Sequence, residues 1–188
     1  FVYRYTNIPD KEYKTPLFYY IIMSVYMIVL IGLRSTNVGI DTNGYYGMYK
    51  SAASLSFSDL KYDMSDKGFV VLEMILNRLH ISFNGFNLIY AAFVITIVSL
   101  FIYKMSEMPW LSYFLYICFG FFLLDFSMVR QTLAMSIVIL AFLIDKNRGI
   151  KDFALFALLV LLASSIHASA IVFMPVWFIK KLPFNSVL

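Results

Sequence analysis

The chain has 188 residues, of which 61% are hydrophobic and only 14% charged, and its mean hydropathy is +0.79. Soluble domains are about 45–50% apolar and about 25% charged, so this composition excludes an ordinary soluble enzyme and indicates an integral membrane protein. The net charge of +4 speaks to membrane topology, not to nucleic acid, because no stretch interleaves Lys and Arg with aromatics on a soluble face.

The first predicted span is Leu17–Leu33, introduced by Pro16, whose missing N–H suits a helix start. As a helix it reaches about 25 Å, slightly short of a bilayer core of about 30 Å, with Tyr19, Tyr20 and Tyr26 available as interfacial anchors. A long polar stretch follows from Arg34 to about Lys67. The segment Phe69–Leu79 is amphipathic and too short to span. It reads as an interfacial or re-entrant helix capped by Asp66, with Glu73, Asn77 and His80 at i, i+4 and i+7 on one face. Residues 34–84 are therefore expected to form an extracytoplasmic loop that carries an amphipathic helix.

Three further apolar runs follow, Phe86–Tyr103, Trp110–Leu124 and Met128–Ile144. A last run, Phe153–Ile179, is interrupted by SSIHAS. The single cysteine, Cys118, lies inside an apolar run and excludes an intrachain disulfide. Basic residues decide how the last run crosses. With a cytoplasmic N-terminus (Arg4, Lys11, Lys14), alternating spans put Lys104, Lys146, Arg148 and Lys151 inside. Lys180 and Lys181 join them only if the last run crosses twice, with a turn near His167. The expected fold class is thus all-α: a polytopic membrane helical bundle of about six spans, with short or re-entrant helices, in one transmembrane domain over residues 1–188.

That topology gathers four polar clusters on one external face. Charge near hydrocarbon is rare and costs roughly 2.5–3.5 kcal/mol at a helix centre on insertion scales, so the clusters are functional candidates. In RSTNVGIDTNGYY, Gly39 permits a tight turn, Arg34 suits a phosphate and Asp41 could accept a proton; the alternative is a juxtamembrane Arg with an Asx turn. In SDKGFVVLEMILN, Asp66 is either a site carboxylate or simply a helix N-cap. In DFSMVRQTLA, Arg130 and Gln131 open a helix, and an Arg there opposes the macrodipole. A bound anion would resolve the tension, as would an Asp125–Arg130 ion pair. In SSIHASA, His167 is a proton shuttle or a neutral packing residue. No metal site is expected, because His80 and His167 lack companion ligands. There is no Walker loop, GxSxG or GxGxxG, and no cofactor is expected.

Taken in order, VGIDTNGYY with Arg34, DKGFVVLEMILN, FSMVRQTLAMSI and SSIHASAIVFMPVWFI resemble the EpsG family of bacterial exopolysaccharide polymerases, related in role to Wzy-type polymerases. The resemblance covers about Arg34 to Lys181 and implies that the chain corresponds to the N-terminal half of a longer polytopic protein of the bacterial cytoplasmic membrane. It implies polymerisation of polyprenyl-pyrophosphate-linked oligosaccharide units at the outer face, in company with other polysaccharide assembly proteins. Arg130 and Arg34, with Asp66 and Gln131, would bind the carrier, and Asp41 or His167 would act as base. Two other functions fit the residues: a transporter or flippase of lipid-linked sugars, and a membrane acyltransferase using His167.

Overall fold

The computed structural model describes residues 15–61, 66–145 and 149–179. The helices are α1 (Leu17–Gly32), α2 (Thr42–Ala52), α3 (Lys67–Arg78), α4 (Phe83–Met105), α5 (Pro109–Cys118), α6 (Phe121–Ser127), α7 (Val129–Ile144), α8 (Ile150–Ile166) and α9 (Val176–Ile179). Short 3-10 turns lie at Asp59–Lys61 and Ala168–Phe173. No strand occurs among the described residues, in keeping with the all-α expectation. The residues at 4, 11, 14, 146, 148, 180 and 181, on which the topology expectation leaned, lie outside the described part.

α4 is the central post. It buries Phe86, Tyr90, Val94, Val98 and Ile102, an i, i+4 ridge along one face, with α1 on one side and α7 on the other. Ser82 caps it by accepting a hydrogen bond from the Gly85 N–H at 3.2 Å. α8 packs on the far side of α7, α3 lies against α8, and α2 lies on α3.

The outward faces are greasy. On α1 the pairs Leu17/Phe18, Ile21/Ile22, Val25/Tyr26 and Val29/Leu30 recur every fourth residue, each 40–63% exposed. On α8, Leu155, Leu158, Leu161 and Leu162 form a second apolar stripe, each 44–63% exposed. Monomeric soluble proteins seldom expose contiguous apolar stripes of that size.

By length and composition, α4 is one helix able to cross a membrane, and α5–α6 is a second if its two arms, bent by 53°, count as one span. α1 and α7 are shorter apolar helices, at roughly 24 Å each. The described residues therefore hold one or two such helices, where the sequence leads to an expectation of about six spans, some of them short or re-entrant. The run expected over 110–124 is broken at Gly120, whose φ of +79° is open to glycine and costly for residues with a Cβ. Its second arm carries on to Ser127. The run over 153–179 breaks at His167, which is extended and closes α8 before the 3-10 turn.

Within the polar stretch the chain forms α2, which the sequence reading leaves as loop. Thr42, Tyr45, Tyr49 and Ala52 are its buried residues, and together they mark one helical face. α3 ends at Arg78, and His80 sits at φ +57°. It therefore leaves the helical face on which Glu73 and Asn77 were expected to align with it.

Candidate functional site

The four clusters meet at one end of the bundle because each lies where an element begins or ends. Arg34 follows α1, residues 125–127 close α6, Arg130 is in the first turn of α7, and His167 ends α8.

Asp66 is the hub. It occupies the N-cap position of α3 in the left-handed region, yet its side chain makes no cap hydrogen bond, so the capping role expected of it is not the one it takes. Instead Oδ2 accepts from Arg130 Nη1 at 2.7 Å and lies 3.9 Å from His167 Nδ1. Oδ1 accepts from the backbone N–H of Ala168 at 3.3 Å. The aspartate thus joins the starts of α3 and α7 to the break after α8. A non-glycine residue in this backbone region stores strain of order 1–3 kcal/mol, and such strain gathers at functional sites.

Close helix contact sets this geometry. A Cβ added to Gly68 would overlap Ser165 Oγ and lie 2.9 Å from the Ser165 carbonyl carbon, so α3 can approach α8 this closely only without one. Gly68→Ala should destabilise the fold by about 1–3 kcal/mol, the usual cost of overpacking, and should part Asp66 from Ala168. Thermal unfolding in detergent measures the first effect, and loss of activity at temperatures where the protein stays folded measures the second.

Arg130 turns away from Asp125, so the local ion pair considered for the 125–130 turn does not form. Asp125 is buried and its Oδ2 accepts from the Tyr116 hydroxyl at 2.6 Å. The Arg130 guanidinium lies 5.9 Å from the Tyr45 ring. Its side chain is 30% exposed, and of the five donors a guanidinium carries only one on Nη1 is engaged among the described residues, by Asp66.

Arg34 is buried. Nη1 donates to the carbonyls of Ile31 (3.4 Å) and Asp125 (3.3 Å), a favourable place for a cation at the C-terminal end of α1. Its Nε and Nη2 have no hydrogen-bond partner among the described residues. The turn expected at Gly39 is present, with φ +94°. It docks the loop on the end of α6, where Thr42 Oγ1 donates to the Phe126 carbonyl at 3.2 Å and Ile40 N to Ser127 Oγ at 3.3 Å.

Two candidates stand apart. Asp41 is exposed, and its carboxylate makes no hydrogen bond or ion pair among the described residues. Gln131 is exposed beside Arg130 and faces a groove between α4, α5, α6 and α7.

Glu73 was read only as part of a polar helix face. It is 1% exposed, and its Oε1 has no partner. Burial pushes its carboxyl up to about 8, against the opposing pull of the Arg130 charge. Its i+4 relation to the buried Phe69 was the available signal. The consequence for stability has a definite sign. Between about pH 4.5 and 8 the folded chain holds a proton that the unfolded chain has lost, so stability falls as pH rises. The slope is about 1.4 kcal/mol per pH unit for one proton. Glu73→Gln should flatten that slope, as read by the unfolding midpoint between pH 5 and pH 7.5. An unchanged slope would mean that Glu73 is ionised in the fold.

The EpsG family model matches residues 17–188. No curated protein matches the chain, and no solved structure does. The matched range holds all four motifs and every residue of the Asp66–Arg130–His167 cluster, and the chain belongs to the EpsG family.

Proposed function

We propose that this protein polymerises lipid-linked oligosaccharide units at the outer face of the bacterial cytoplasmic membrane, as part of a multi-pass helical bundle. Family membership supports an exopolysaccharide polymerase role in general. The observation that carries the finer reading is the partly exposed cluster in which Asp66 joins Arg130 and His167. It combines a cation for a leaving phosphate with an imidazole for a proton, side by side.

In the proposed step, an acceptor sugar hydroxyl attacks the anomeric carbon of the growing glycan. The bond from that carbon to the polyprenyl pyrophosphate breaks, and the hydroxyl proton passes to His167. Arg130 meets the charge that develops on the departing pyrophosphate, where preorganised donors act most strongly. Arg34, buried behind Asp125, adds positive potential. The exposed Gln131 and Asp41, outside the cluster itself, supply hydrogen-bonding groups for the incoming sugar. Asp66 positions the other two by holding the guanidinium and facing the imidazole. Its 3.9 Å gap to Nδ1 is of the kind that closes in a substrate complex.

The greasy outer stripes of α1 and α8 support a bilayer as the surrounding solvent. A transporter would set its polar groups near the midplane, at the junction of two repeats, whereas these collect at one end. Incubating the purified full-length protein with lipid-linked repeat units tests the proposal. Longer glycans and released polyprenyl pyrophosphate are expected. Movement of the units across a vesicle membrane without lengthening would instead mark a flippase.

A further inference from the structure

A groove of about 940 Å³ runs between α4, the bent α5–α6 pair and α7. On α4 its wall extends from Val94 to Ser106, about 18 Å of helix, and on α7 it extends from Gln131 to Ile139. The bend at Gly120 swings the α5 arm out of line with α6. Along this outer wall Phe101, Met105, Leu115 and Phe119 are exposed, so the groove opens sideways and not only at its ends.

Its chemistry is graded. Between the two ends the wall is almost wholly apolar. Ser136 donates to the Thr132 carbonyl of its own helix at 2.9 Å, and at the far end Ser106 and Ser112 bond each other at 2.8 Å. These hydroxyls are already occupied, so a glycan or a file of waters would find few partners there, and buried polar groups need partners. The near end is polar: Asp125, Gln131, Thr132 and Tyr116 line it. The Asp125 carbonyl accepts from the buried Arg34 at 3.3 Å.

We propose that this groove seats the polyprenyl chain of the lipid-linked substrate, with its headgroup end at the polar Asp125–Gln131 rim. The inference rests on the polymerase reading for the identity of the lipid. The groove itself supplies the rest: an apolar trough open to the bilayer, closed to hydrogen-bonding ligands along its length, and polar at one end.

The test uses the purified full-length protein and a long-chain polyprenyl phosphate that carries a photoreactive group in its tail and no sugar, so labelling requires no polymerisation. Labelling is expected within peptides 94–106 and 131–139. Unlabelled polyprenyl phosphate should compete for it, and phosphatidylglycerol at equal concentration should not. Ile139→Trp, which fills the trough, should cut labelling at least ten-fold while the protein keeps its unfolding temperature. If that variant unfolds, competition on the unaltered protein still decides. Labels spread over α1 and α8, or equal competition by phosphatidylglycerol, would overturn the proposal in favour of bulk lipid. No labelling in the groove would overturn it in favour of a groove covered by other parts of the chain. Groove labelling without glycan growth in the polymerisation assay would retain the groove and sink the polymerase. Glycan growth without groove labelling would do the reverse.

Discussion

Arg130→Ala is expected to abolish glycan growth, with kcat/KM down at least about 10²-fold, the loss typical when one preorganised charge-stabilising donor is removed. The side chain is 30% exposed, so truncation opens no large cavity. Its main structural cost is the loss of the charged partner of Asp66, about 1–3 kcal/mol, with Asp66 still accepting from Ala168 N–H. Arg130→Lys should keep part of the activity, because lysine supplies the charge without the planar fork that grips two phosphate oxygens. Single-turnover assays on folded, membrane-inserted variants make the comparison. Normal polymerisation by Arg130→Ala would show that the guanidinium serves only to hold Asp66.

Asp66→Asn is expected to come second, lowering kcat about 10–100-fold with little change in KM. An asparagine tolerates the left-handed backbone at this position and can still accept from Ala168 N–H. What it loses is the charge that strengthens the bond to Arg130 and that faces His167. A residue acting through two others should alter the chemical step more than substrate affinity. Asp66→Gly separates the remaining factor, since it relieves the backbone strain but removes the carboxylate. If Asp66→Gly works as well as the unaltered protein, the aspartate matters only for the turn.

The polar clusters were legible because charge stands out in so apolar a chain, and their positions at the ends of apolar runs brought them to one end of the bundle. The break at His167 was legible for the same reason, since SSIHAS cannot continue a greasy face. The choice of partner was not. Arg130 had Asp125 five residues away and took Asp66, 64 residues away, because the face of α7 it occupies is the one turned toward α3 and α8. Local spacing carries no information about that packing. α2 was hidden by two glycines and a modest helix propensity; its stability comes from burying Tyr45 and Tyr49 in the core, a tertiary effect. Glu73 was misread because an amphipathic pattern does not say which solvent each face meets. Here the buried side carries Phe69, Met74 and a carboxyl, while Ile75 and Leu79 are exposed.

The links through Asp66 span 64 and 102 residues, and that sets an order of events during synthesis. Chains emerge N-terminal end first, so the aspartate arrives well before either of its partners. Until α7 emerges, its charge has to remain hydrated, which suits a long polar segment held outside hydrocarbon. Once the chain has emerged as far as Ile144, the aspartate–arginine pair can close while the imidazole is still missing. Completing the Asp66 cluster then comes after its ion pair has closed, so a partly made chain could bind a phosphate before it could use one.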